Sequence, residues 1–278
     1  MRAGCAKVMA MLVVLLSASL AGCLEGDASD EDDGPISMNV HYDATSGVIT
    51  ERIQNGAVLS TTGVELSFDF ARVTSKAGTM KTFTFDPGDD EDGSNLVTVN
   101  ANDQAEITYT YQTHGLFTAT LSATDESDNE ASMELQLRIE KEIDWTQTNT
   151  DNPDSMVLAT SPDCLCPTPE HLAVQSTITN RNDLLPGTQI TVTWHLNDPE
   201  GEEQAFHTEQ IGDGQEASWT HEQYAIEGGD WNLNVSIDAG NDSIDIRHVV
   251  LISYEADESE PNPLSAEATE REEESLSV

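Results

Sequence analysis

Apolar and polar residues alternate one for one along residues 64–70 (VELSFDF), 117–123 (FTATLSA), 133–139 (MELQLRI) and 190–194 (ITVTW). A period of two places successive side chains on opposite faces of an extended chain, which is the pattern of half-buried β-strands. Turn-forming clusters separate these runs at 125–129, 197–202, 212–214 and 239–242, and no helical stripe of useful length intervenes. The pattern predicts an all-β chain packed as two sandwiches. Strand runs end near Glu142 and resume near Val157, with the polar stretch 146–155 (TQTNTDNPDS) between them. The expected organisation is a first sandwich over 37–142, a linker over 143–156 and a second sandwich over 157–256.

The two ends break the pattern in different ways. Residues 1–7 carry Arg2 and Lys7 and no acid, and 8–21 are apolar but for two serines. This is a basic region followed by a hydrophobic one, too short for the ~20 residues that span a bilayer. It ends in Ser19-Leu20-Ala21-Gly22-Cys23, which resembles a lipobox. The resemblance implies cleavage of a signal peptide, 1–22, and a lipid on the sulfur of Cys23. The mature chain is then anchored to the cell membrane on its extracellular side rather than spanning it. Residues 23–36 (acid, Gly and Ser) read as a disordered tether, and 257–278 as a disordered acidic tail with no second hydrophobic anchor.

Charge narrows the partners. The chain has 52 Asp and Glu against 11 Lys and Arg, a net charge of −41. Loss of Arg2 and Lys7 with the leader makes the mature charge −43. Such a field repels nucleic acid, so no nucleic-acid partner is expected. It suits molar salt, where the Debye length falls to about 3 Å and self-repulsion is screened. The source that fits is a salt-adapted or marine microbe, an archaeon for preference. The acids are spread along the whole chain, as on a solvated surface, and are not gathered into one ligand set.

Within the first sandwich, residues 83–90 (FTFDPGDD) and 109–125 (YTYQTHGLFTATLSATD) resemble the two hallmarks of polycystin-type (PKD) domains, in the right order. The first hallmark falls on Phe83, Phe85, Asp86, Gly88, Asp89 and Asp90, with Phe in place of Trp and Asp in place of the last Gly. The second falls on Tyr111, Gly115, Phe117, Ala119, Leu121, Ala123 and Asp125. The resemblance spans about 58–140 and implies an immunoglobulin-like sandwich that mediates protein or carbohydrate contact or acts as a spacer. From the residues themselves, Phe83 and Phe85 share one strand face and Tyr109 and Tyr111 another, so these rings should form the inter-sheet core. Gly115 should supply backbone freedom at the start of a strand, and Asp86 and Asp89 should accept loop N–H groups. The same loop offers Asp86, Asp89, Asp90 and Asp92 to calcium, the one cofactor left open. EF-hand register is excluded, because it would need an acid at Gly88.

The second half repeats the alternation, and residues 228–237 (GGDWNLNVSI) resemble the Gly-x-Tyr-x-Val-x-Leu segment, with Trp231 standing where Phe117 does. Cys164 and Cys166, framed by Pro162, Pro167 and Pro169, are the cysteines left in the mature chain apart from Cys23. Three readings stay open for them: a local disulfide, a soft-metal site completed by His171, or neither. The histidines (41, 114, 171, 195, 207, 221 and 248) show no HExxH or HxH spacing, and no nucleophile elbow or phosphate loop is present. His195 and His207 are expected on surface strands. Asn234 and Asn241 head N-glycosylation sequons. The expectation is a non-enzymatic, lipid-anchored surface protein that binds protein or carbohydrate, or spaces another domain. The alternative is a metal or redox carrier, or an accessory lipoprotein of an exported hydrolase, acting through Cys164 and Cys166.

Overall fold

The computed structural model describes residues 34–90, 93–162, 164, 166–181 and 188–264. The signal peptide, Cys23, Asp92 and residues 265–278 lie outside them. The described chain is all-β. The first sandwich is built by β1 (Ile36–Ser37), β2 (Ser46–Gln54), β3 (Ala57–Thr62), β4 (Val64–Asp69), β5 (Thr74–Ser75), β6 (Met80–Asp86), β7 (Val97–Asn100), β8 (Glu106–Tyr111) and β9 (Gly115–Asp125). Next comes the long β10 (Glu130–Thr150). The second sandwich follows with β11 (Met156–Ala159), β12 (His171–Asn180), β13 (Ile190–Asn197), β14 (Glu203–Ile211), β15 (Glu216–Tyr224), β16 (Asp230–Ala239) and β17 (Ile244–Ser253). No helix among the described residues is long and apolar enough to cross a membrane.

One nine-stranded sheet serves both sandwiches. Its path runs β15-β12-β17-β10-β9-β6-β7, with β2 against β10 and β3 against β2. The pair β4-β8 closes the first sandwich, and the four-stranded sheet β11-β16-β13-β14 closes the second. The first core holds Phe68, Phe70, Phe83, Phe85, Tyr111 and Phe117, and the second holds Trp145, Trp194, Trp219 and Trp231.

β10 joins them, and here the structure departs from the expected linker. Residues 143–150 continue the same strand, 21 residues long. Its odd-numbered positions face inward as far as Gln147: Leu135, Leu137 and Ile139 enter the first core, and Ile143 and Trp145 the second. Along one edge β9 pairs with Glu130 to Ile139, and β17 then takes over from Lys141 to Thr150. β2 runs parallel on the other edge, from Arg138 to Thr146. The Thr-rich stretch reads as a linker by polarity, yet Thr is a good strand former and the inward parity holds as far as Gln147, beyond which the register shifts. Gln147, which falls on the buried side, is held from both ends of its amide by Asp154, at 2.8 and 2.9 Å.

Two further boundaries shift. Ile36, expected in the tether, is buried in the first core. The start of the expected tail, 257–264, returns to the first sandwich. The Ser259 N–H donates to the Gln136 carbonyl, Asn262 and Tyr42 exchange a pair of backbone bonds, and Arg138 grips Glu258 through two nitrogens at 2.7 and 2.8 Å. Such docking uses main-chain groups and one ion pair, which a reading based on apolar content cannot see.

Candidate functional site

The motif residues of the first sandwich form a framework of stacked rings and bonded carboxylates. Phe83 and Phe85 stack on Phe70 and Phe68, at 4.8 and 4.5 Å between centroids. Tyr109 lies 5.6 Å from Phe85 and 4.9 Å from Tyr111, which stacks on Phe117 at 5.0 Å. Gly115 works by close approach rather than by backbone freedom: the Phe117 ring lies where its Cβ would be, 2.6 Å away. Gly88 has φ +68°, and a side chain there would also strike the Thr118 carbonyl. Leu121 is buried on the same face of β9 as Phe117.

The acids of the loop are bonded. Asp86 accepts the Gly88 N–H at 3.1 Å, as expected of a turn aspartate. Asp89 instead takes side-chain donors, the Tyr109 hydroxyl at 2.6 Å and the Asn95 amide at 3.0 Å. Burial, with help from Asp89, pushes the Tyr109 hydroxyl well above its ordinary range. Asp90 accepts the N–H groups of Gly93 and Asn95 and the Ser94 hydroxyl, which hold it below the usual carboxylate range although partial burial acts the other way. Asp125 is 0 % exposed. Burial alone would raise its pKa, but bonds from the Asn129 and Ser75 side chains and from the Asn129 and Ser127 N–H groups bring it down to about 2. Among the described residues no three His, Cys, Asp or Glu side chains are grouped to hold a metal ion.

Cys164 and Cys166 are joined by a disulfide, which packs against the first core although it lies between β11 and β12. With Gly88, Asp90, Leu116 and Asp257, Cys166 lines an open cleft of about 420 Å³. His171 stands in β12, its ring stacked on Tyr224 at 5.3 Å.

Two histidines that the sequence reading left without a role are buried. His114, between β8 and β9, bonds the Tyr254 hydroxyl at 2.7 Å and donates from Nε2 to the Ala159 carbonyl at 3.1 Å, tying the first sandwich to two strands' ends of the second. His248 is 1 % exposed on β17, stacked on Trp145 at 5.1 Å. Its parity gives it away: Ile244, Ile246, Val250 and Ile252 all face inward, and 248 falls in their series.

The outer faces of the second sandwich differ sharply. The face on the nine-stranded sheet carries Glu142 and Asp144 of β10, Asp245 and Arg247 of β17, and Glu216 and Glu222 of β15. On the four-stranded sheet the outward positions of β13 are Thr191, Thr193, His195 and Asn197, flanked by Asn232, Asn234 and Ser236 of β16. On the other side stand Phe206, Thr208 and Gln210 of β14. None of these ten carries a carboxylate, Lys or Arg. Acids appear at three margins, where Glu203 bonds His195 at 2.9 Å, Asp238 accepts from Thr193 and Ser236, and Asp230 stands exposed at the start of β16. Phe206, 66 % exposed, sits in the polar register of its strand. Asn234 lies mid-strand on this face, whereas Asn241 occupies an exposed turn before β17. His195 and His207 both keep partly exposed side chains, His195 bonded to Glu203 and His207 bonded to Glu209 with its ring 5.6 Å from that of Trp194.

No family model matches the chain, and no curated protein matches it in sequence. Solved structures similar to it include a carbohydrate-binding module of the β-sandwich superfamily, at 12% identity and TM-score 0.30, over 82% of this chain and 95% of that one. A xylan-binding domain from Paenibacillus barcinonensis is similar at 12% identity and TM-score 0.26, over 69% of this chain and 97% of that one. A Bacteroides ovatus protein of a mixed-linkage glucan utilisation locus, solved with a heptasaccharide, is similar at 12% identity and TM-score 0.21, over 75% and 52%.

Proposed function

We propose that the chain is a non-catalytic binding module, displayed on the outer surface of a cell membrane by a lipid on Cys23 and built on a PKD-like first sandwich. The observation that carries the binding role is the neutral outer face of the four-stranded sheet. On a chain of charge −41, ten neighbouring outward positions without an ionic side chain leave one face that a partner can approach without meeting a wall of carboxylates. The acids that stand out by burial or bonding, Asp89, Asp90 and Asp125, hold turns in place, and His114 and His248 hold the cores. Because β10 runs unbroken from one sandwich into the other, the face is presented from a stiff support.

The test is capture. The full-length chain, immobilised at molar salt, should retain a component of detergent-solubilised envelope or of secreted polymer, and the retained component should be released by an excess of soluble chain. Retention of nothing above a blank matrix would overturn the reading. Labelling with a radioactive lipid precursor, lost in Cys23→Ser, checks the anchor separately.

A further inference from the structure

We infer that the neutral face of β13, β14 and β16 is a binding site for a neutral polysaccharide, with Phe206 as its stacking platform, Asn234 as its polar reader and His195, held by Glu203 and Ser236, as the ring surface between them; this rests on the proposed binding role. A pyranose ring presents a patch of C–H bonds on one side and a rim of hydroxyls that both donate and accept. Phe206 offers the matching negative ring face to the first. It is the most exposed of the chain's buried-type aromatic rings in the described residues, and nothing in its strand's packing requires a phenyl on that side.

Around it the face supplies the second. His195 is paired directly with Phe206 across β13 and β14, and with Asn234 across β13 and β16, so the three lie in one row across the sheet. Neighbouring strands are about 4.8 Å apart, which makes that row about 10 Å long, the span of roughly two linked sugars. The Asn234 amide makes no hydrogen bond within the described protein, and it brings two donors and an acceptor. Thr208 and Ser236 add hydroxyls in the next row, through Thr193. The marginal carboxylates Glu203 and Asp238 can accept from sugar hydroxyls.

Other partners fit this face poorly. Phe206, with only Val157 of β11 as a second exposed apolar side chain on this face among the described residues, two strands beyond His195, lacks the contiguous apolar centre that a protein interface requires. An anionic polymer would meet no Lys or Arg and a strongly repulsive field. Stacking and neutral hydrogen bonds also survive molar salt, where charge attraction is screened.

The experiment is affinity electrophoresis of the full-length chain in gels containing xylan, mixed-linkage β-glucan, galactomannan or polygalacturonate, at high salt in the sample. The expected result is retardation by at least one neutral polymer and none by polygalacturonate. Phe206→Ala should weaken that retardation about tenfold or more, the loss typical of a binding hot spot. His195→Ala and Asn234→Ala should weaken it less, and Thr220→Ala, on the charged side of the sandwich, should leave it unchanged. Phe206 is exposed, so its variant keeps the thermal midpoint of the parent. Undiminished binding by Phe206→Ala would overturn the placement of the site. Failure of every neutral polymer would overturn the ligand class, and if envelope capture still succeeded, the binding role itself would stand.

Discussion

The indole N–H of Trp194 crosses the second sandwich to the hydroxyl of Ser176, 2.7 Å away. That hydroxyl is in turn bonded to Nδ1 of His248 at 2.8 Å, so three buried residues on β13, β12 and β17 form one chain of bonds between the two sheets.

Ser176→Ala removes the middle of this relay and leaves two buried polar groups, the Trp194 N–H and Nδ1 of His248, without their partner. An unmet buried polar group costs about 1–3 kcal/mol, so the loss should be about 2–4 kcal/mol in denaturant unfolding. Ser176→Thr, which keeps the hydroxyl, should recover part of it. A loss under 0.5 kcal/mol would mean that water replaces the hydroxyl.

Acid should unfold the protein in two stages. Burial lowers the His248 pKa to about 3, against the ordinary 6.5, so the unfolded chain binds this proton first. Stability is therefore full above about pH 6.5 and declines as pH falls toward 3. Asp125, held at about 2 by its hydrogen bonds, adds a second decline from about pH 4 down to 2, where its carboxylate is protonated in both states. Denaturant midpoints measured from pH 8 to pH 2 should show both limbs, and Asp125→Asn should flatten the lower one alone.

Three glycines should separate two kinds of constraint. Gly88 and Gly93 share φ +68°, but only at Gly88 does a side chain strike backbone. Gly93→Ala should cost about 1–2 kcal/mol for the left-handed conformation, and Gly88→Ala distinctly more. Gly115→Ala carries no such backbone strain; it should displace the Phe117 ring and disturb its stack on Tyr111, visible in near-ultraviolet circular dichroism.

Removing residues 257–278 should lower the thermal midpoint of the first sandwich, since Ser259 and Asn262 satisfy backbone groups of Gln136 and Tyr42. Within that segment Glu258→Gln should cost about 0.5–1 kcal/mol at low salt and little at molar salt, because the pair with Arg138 is partly exposed and screened. An unchanged midpoint in the truncated chain would show that the docked tail adds nothing to the core.

Period-two alternation revealed the strands, and the spacing of Phe83, Phe85, Tyr109 and Tyr111 revealed the core of the first sandwich, because burial imposes parity directly on residue type. The continuation of β10 past Glu142 was hidden by its threonines, which satisfy a strand as well as a loop. Docking of 257–264 was hidden because backbone bonds leave no trace in side-chain composition. Phe206 was legible in principle. Along residues 205–211 the inward places fall to Ala205, His207 and Ile211, so a phenylalanine at 206 belongs to the solvent side of its strand. An aromatic ring out of register with its own strand's core is the sign to look for.

A strand that threads two cores also has a mechanical meaning. At about 3.3 Å per residue, β10 is a beam of about 70 Å, bonded first to β9 and then to β17 along one edge. A tug applied along this beam loads the rungs of each ladder in parallel, as shear, instead of opening them one after another like a zipper. Between its two cores the described chain therefore behaves as one strut and not as two domains on a swivel.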